Sequence, residues 1–262
     1  MTELRKTFDG VADLYDRVRP TYPEPLFDEL FSRLPKSPNV LEVGPGTGQA
    51  TVSLLARDAR VTAVELGVNM ASRLRRKFDN EDQLKIIVSS FEDVLVTSHS
   101  FDLVVAATAY HWVEESVRLE KPIDILRPEG WLAIIDTVNI SSPSDAGFSD
   151  RSQFIYDKYG DGSDEPRQPL AHEVTGFLFD ALEKSPLYAT PLRFRYPWDQ
   201  TNDAERFGDL LRSYSSTQAM PEAEREAFVG EMIGLVNNEF AGHVTQPIVI
   251  VLTMAQPAGK FS

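Results

Sequence analysis

Cysteine is absent from the 262 residues, which excludes disulfides, thiolate metal ligands and a cysteine nucleophile. Histidine is scarce, with four scattered residues in no HxH or HxxxH spacing, so no metal site is expected. No apolar run reaches the roughly 18–20 residues that a membrane span requires. The opening MTELRKTFDG has no apolar stretch of the secretory kind, and a soluble, cytoplasmic protein without a membrane partner is expected. Positive charge is also in short supply. Lys and Arg total 26 against 40 Asp and Glu, a net charge of −14, so the average field repels a phosphate backbone and attracts cations. Nucleic acid is therefore not the expected partner. The one basic cluster, Arg73, Arg75, Arg76 and Lys77, reads as the solvated face of a helix.

What is present is ordinary globular material, 42% hydrophobic and 25% charged, enough for one generously built domain or two small ones. Residues 1–37 read as helical, with Phe8, Val11, Leu14 and Tyr15 at helical spacing and a second amphipathic helix after Pro23. From Asn39 onward, short apolar runs (VLEV, RVTAVEL, LKIIVSS, FDLVVAAT, WLAIIDT) alternate with amphipathic stretches. Such runs suit strands covered on both faces, and the stretches between them suit right-handed crossovers, which predicts a parallel, doubly wound α/β sheet. Turn formers then dominate 141–189. LRFRYPW alternates strictly, as an antiparallel strand with one wet face would. Asn202 with Glu205 three residues on predicts a helix start, a further helix follows Pro221, and PIVIVLTMA closes the sheet.

The chemistry concentrates in VLEVGPGTGQAT, where a buried strand runs into Gly44, Gly46 and Gly48 and then into a helix. Glycines there allow a sharp turn and a close approach of backbone to ligand, beside amides with no helical partner. Glu65 ends the second strand, about where an acid grips the two ribose hydroxyls of an adenosine-bearing cofactor. A nicotinamide fingerprint would require a third glycine where the chain has Gln49, and Glu42 just before the turn would repel a pyrophosphate. That anion suits the ammonium and sulfonium charges of S-adenosylmethionine instead. A nicotinamide-dependent oxidoreductase and a non-catalytic S-adenosylmethionine-binding protein are the alternatives.

EVGPGTG, AVEL, SSFED, FDLVVAATAYHWV and LRPEGWLAI, in that order, resemble the class I S-adenosylmethionine-dependent methyltransferases, and more narrowly the trans-aconitate-methyltransferase-like branch of small-molecule enzymes. The N-terminal YDRVRPTYP is similar to that branch as well. The resemblance implies a Rossmann-like fold: a seven-stranded, mostly parallel sheet whose last two strands form an antiparallel hairpin, with a helical cap. On that pattern the chain is one methyltransferase domain over 1–262, with a helical lid over 1–37. Its core spans 38–140 with 190–199 and 244–257, and its substrate cap comprises 141–189 and 200–243.

The resemblance places Gly44, Gly46 and Gly48 along the cofactor and Glu42 near its amino end. Glu65 holds the ribose, Leu66 and Met70 lie by the adenine face, and Ser90, Phe91 and Glu92 line the adenine edge. Thr108, Tyr110, His111 and Trp112 fall beside the methyl group. Leu66, Met70 and Phe91 also read as plain core, Glu92 as a helix cap and Trp112 as packing. Methyl transfer from a sulfonium needs no nucleophilic side chain. A carboxylate acceptor would need arginines for recognition and no base; for a hydroxyl or amine, His111 is the base candidate. Tyr15, Arg19 and Tyr22 are expected to close on ligand as part of the lid. The product would be S-adenosylhomocysteine, and oligomeric state is left open.

Overall fold

The computed structural model describes Gly10 and residues 12–160 and 168–259. Phe8 and Val11 of the N-terminal stripe lie outside the described residues. Two short helices come first, α1 (Ala12–Val18) and α2 (Glu24–Phe31). Pro25 stands in the first turn of α2, where its missing N–H costs nothing. The alternating region follows as β1 (Asn39–Val43), α3 (Thr51–Leu55), β2 (Arg60–Glu65), α4 (Val68–Lys77), β3 (Leu84–Val88) and β4 (Phe101–Ala107). Then come α5 (Glu120–Ile125), β5 (Leu126–Asn139), α6 (Phe148–Tyr159), α7 (Phe179–Lys184), β6 (Leu192–Asp203), α8 (Ala204–Arg212), α9 (Ser215–Ala219), α10 (Glu222–Glu239) and β7 (His243–Ala255).

The strands form one seven-stranded sheet in the order β3-β2-β1-β4-β5-β7-β6. It is mixed: β1 to β5 pair in parallel, and the last hairpin is antiparallel. The central apolar runs become strands covered on both faces, as in β4, where all seven residues but Ala107 are buried, while β3 at the sheet edge is only partly covered. Chain order reverses at β1, which has β2 on one side and β4 on the other, so the topological switch point, where folds of this kind bind ligands, falls at the carboxyl ends of β1 and β4.

By internal contacts the chain divides into two compact units, 20–137 with 175–196 and 250–262, and 1–19 with 138–174 and 197–249. In the first, the core joins Leu41, Val64, Val104, Leu132 and Ile134 of the sheet to Leu178, Leu182 and Tyr188. Segment 175–196, expected in part as cap, thus packs with the sheet. Helix α4 buries Met70, Ala71 and Leu74, while Arg75, Arg76 and Lys77 fill its last turn, where cations suit the helix dipole. In the second unit, Phe148, Phe207, Phe228, Met232 and Val236 of α6, α8 and α10 pack together, with Phe148 edge-on to Phe207 at 5.4 Å.

One helix start differs from expectation. Strand β6 runs to Asp203, and its carboxylate, rather than the Asn202 side chain, caps α8 by accepting from Arg206 N at 2.7 Å. Asn202 is still in the strand and buried, and its Oδ1 accepts from Arg206 Nε. Among the described residues no helix is long and apolar enough to cross a membrane.

Candidate active site

The glycine turn leaves β1 with Gly44, Gly46 and Gly48 all at positive φ, +64°, +59° and +94°, a conformation side-chain-bearing residues rarely adopt. A Cβ on Gly44 would fall 2.7 Å from Ala109 Cβ, so glycine lets the turn lie against the chain leaving β4. Gly48 serves a different purpose. A Cβ there would meet Phe78 Cε2 at 2.7 Å and Leu74 Cδ1 at 2.8 Å, which makes it a packing position against α4. Gly44 N donates to Val64 O and Gly48 N to Pro45 O, both at 2.9 Å.

Two acids face this turn. Glu65 Oε2 accepts from Gly46 N at 3.0 Å and its Oε1 from Gly67 N at 2.8 Å. Each oxygen is thereby fixed by a backbone amide, and the carboxylate straps the turns after β1 and β2 together. Glu42 is 1% exposed, and its Oε2 accepts from Thr51 Oγ1 at 2.7 Å. Burial pushes its pKa up to about 7; the Thr51 bond pulls the other way and the Glu65 charge adds to the rise. A buried carboxyl in that state gains from a neighbouring cation.

Beyond β2, Leu66 is half-buried and Met70 buried. Ser90 is occupied locally, its hydroxyl donating to Asp93 Oδ2 at 2.7 Å and accepting from Asp93 N. Phe91 and Tyr110 belong to the core of the sheet unit, their rings 6.0 Å apart, and Tyr110 OH donates to Arg118 O at 2.8 Å. Glu92 accepts from Glu114 N at 2.9 Å and its carbonyl from Lys121 Nζ at 2.8 Å, so it tethers the segment after β4.

Polar and aromatic groups gather just past the end of β4. Thr108 takes a left-handed φ of +52°, and its N donates to Ile135 O at 2.7 Å. Its Oγ1 lies 3.0 Å from Tyr22 OH and 3.4 Å from Thr137 Oγ1. His111 is half-buried, and burial, with Arg118 adding to it, holds its pKa below the usual 6.5. Its ring is therefore neutral at pH 7 and able to take a proton. The ring stands 4.8 Å from Trp112 and edge-on to Phe177 at 6.2 Å. Arg118 lies over Phe177 at 4.9 Å while its Nε donates to Val113 O and its Nη2 to His111 O.

The three aromatic and cationic groups expected to close together are divided between the units. Tyr22 lies in the sheet unit with Thr108. Arg19 lies in the other, over the rings of Tyr15 at 4.9 Å and Tyr214 at 4.5 Å, with Nη2 donating to Ser213 O at 3.0 Å. Asp136, Thr137 and Phe177 at this edge went unread in the sequence. Asp136 could have been found, because it ends the apolar run WLAIID as Glu65 ends VTAVE.

Residues 41–134 match the family model described as a methyltransferase domain. Over 98% of its length the chain is 25% identical to an uncharacterized methyltransferase of Schizosaccharomyces pombe, covering 98% of that protein as well. It is 32% identical to the malonyl-[acyl-carrier protein] O-methyltransferase of Halorhodospira halophila, over 48% of this chain and 45% of that one. Among solved structures it is similar to a protein of Anaeromyxobacter dehalogenans described as a candidate type II methyltransferase. The TM-score is 0.58 at 20% identity, covering 90% and 96% of the two chains.

Proposed function

We propose that this chain, an S-adenosylmethionine-dependent methyltransferase of class I by its domain, relatives and fold, methylates a small-molecule acceptor. The observation that carries the reading is Glu65, held through both oxygens at the end of β2 beside the glycine turn. It acts with Glu42 buried beneath the same turn. The site fits the cofactor: Glu65 is preorganised to accept from two vicinal hydroxyls, and Glu42 supplies the charge that an ammonium or sulfonium would neutralise. When bound, S-adenosylmethionine supplies a methyl group on a sulfonium, already activated for displacement.

The chain's own residues have three tasks. The Gly46 turn, Leu66 and Met70 seat the donor. Tyr22, Thr108 and Thr137 present hydroxyls to orient an acceptor. Trp112 and Phe177 exclude water, and neutral His111 takes a proton on a ring nitrogen if the acceptor carries one. We place the enzyme in the cytoplasm, without nucleic acid as substrate, and keep the trans-aconitate-like branch as its nearest kind on the strength of the motifs. Full-length protein incubated with donor labelled on the methyl carbon and pooled small metabolites should transfer label to a soluble small molecule. Cofactor binding without any transfer would mark a binding protein instead.

A further inference from the structure

We propose that the acceptor is an amine, held in its ammonium form by Asp136 in the carboxyl-terminal part of β5 and relieved of a proton by His111. This rests on the methyl-transfer reading above. Ile135 is the register partner of Ala107, the last residue of β4, and Thr108 N donates to Ile135 O. Asp136 therefore follows, within β5, the residue whose carbonyl receives Thr108 N just past the end of β4. It is half-buried, and its one hydrogen bond among the described residues comes from Phe177 N to Oδ2 at 2.9 Å. Among the described residues no cation pairs with it. Burial pushes its pKa up to about 6, with the Phe177 bond pulling the other way. A half-buried carboxylate without a counter-charge is unfavourable on its own and is stabilised by a ligand that brings one.

A second observation points to the same spot. Gly176, at φ +91°, lies where an added Cβ would come 2.7 Å from Thr253 Oγ1 and 3.4 Å from Asp136 Oδ2. Glycine thus lets this backbone pack directly beside the Thr253 hydroxyl and the Asp136 carboxylate, with Val251 Cγ1 3.2 Å from the same point. Thr253 is fully buried, and among the described residues its hydroxyl makes no hydrogen bond. Phe177 then ties the acid to the base: its amide holds Asp136 and its ring, 44% exposed, meets His111 edge-on. A carboxylate acceptor has less to hold it. The cation near His111 is Arg118, whose Nε and Nη2 are committed to the carbonyls of Val113 and His111, so its fork is not open for bidentate binding. Asp136 itself would repel a carboxylate, and an alcohol would leave it without a counter-charge.

The step balances with residues on the page. One ammonium proton passes to a ring nitrogen of His111, and the lone pair so freed on the acceptor nitrogen forms the new N–C bond. The S–C bond breaks with its electrons staying on sulfur, and the acceptor leaves as a methylated ammonium while His111 returns its proton to solvent.

Three matched probes test this on the full-length protein saturated with S-adenosylhomocysteine: phenethylamine, 2-phenylethanol and phenylacetate, titrated by calorimetry. Phenethylamine should bind at least tenfold tighter than the other two. Asp136→Asn should lower its affinity tenfold or more while leaving S-adenosylhomocysteine affinity within twofold. If that variant fails to fold, the wild-type ranking decides, together with the alkali stability of the labelled product formed from pooled metabolites. An N-methyl product survives alkali, whereas a methyl ester releases labelled methanol. Equal affinity for the three probes, no binding of phenethylamine, a preference for phenylacetate, or alkali-labile label would each overturn the amine assignment and leave the methyl-transfer reading standing. Failure of the wild-type protein to bind S-adenosylhomocysteine would overturn that reading and this one with it.

Discussion

Replacing Glu65 by alanine removes a carboxylate with two separable tasks, and the structure gives each a magnitude. As a strap it accepts from Gly46 N and Gly67 N. Both amides belong to half-buried glycines, so water can replace part of what is lost, and the expected loss of stability is about 1–3 kcal/mol. For a chain of this size that corresponds to a fall in Tm of roughly 3–10 °C. As a cofactor ligand, Glu65 would accept two hydroxyls at about 1.5–3 kcal/mol each, so S-adenosylhomocysteine affinity should drop by about a hundredfold or more. Calorimetric titration and a thermal melt on the same preparation separate the two. A Kd within threefold of wild type, with the melt lowered as expected, would reduce Glu65 to a turn strap and refute its place in the cofactor site. Glu65→Gln should fall between, since one amide oxygen can still accept while its NH2 opposes the other backbone N–H.

Glu42→Gln should stabilise the free protein. The folded pKa of Glu42 is raised from 4.5 to about 7, so its contribution is fully present below pH 4.5 and lost as pH rises through about 7. At pH 8 the neutral isostere should gain at most about 3 kcal/mol in urea unfolding, with a flatter pH dependence between pH 5 and 8. Cofactor affinity of the wild type should rise between pH 6 and 8, and the same variant should lose that rise, because only the ionised carboxylate attracts a cation. Gly46→Val places a branched side chain at a φ of +59° in the turn facing the cofactor, and titration should detect no binding. Native affinity there would make the glycine a structural bend alone. For the lid, saturating cofactor and substrate should slow amide exchange across 12–22, and Tyr22→Phe, which removes the bond to Thr108, should lower kcat/KM by about fivefold. Exchange indifferent to ligand would dismiss the lid.

Local patterns determined the part of this protein that depends on neighbours along the chain. Apolar runs without alternation announced strands covered on both faces, and β1 to β5 pair in parallel where those runs fall. The glycines at 44, 46 and 48 announced a backbone conformation that side chains rarely tolerate, and all three have positive φ. Glu65 announced itself as an acid closing a buried strand. Tertiary structure alone decided what those groups meet. Gly48 is needed by Leu74 and Phe78, well along in sequence, and Phe91 and Tyr110 became core because their rings pack against one another and against the sheet. Asn202 gave way to Asp203 as the cap of α8 because β6 runs on to Asp203, five residues past the alternating LRFRYPW. Asp136 acquired its setting from Phe177, 41 residues on, in a stretch whose turn formers carry no period from which to read a partner. Periodicity encodes which face of an element is buried; it does not encode which distant amide will donate to a carboxylate on that element, and only the tertiary structure makes that choice.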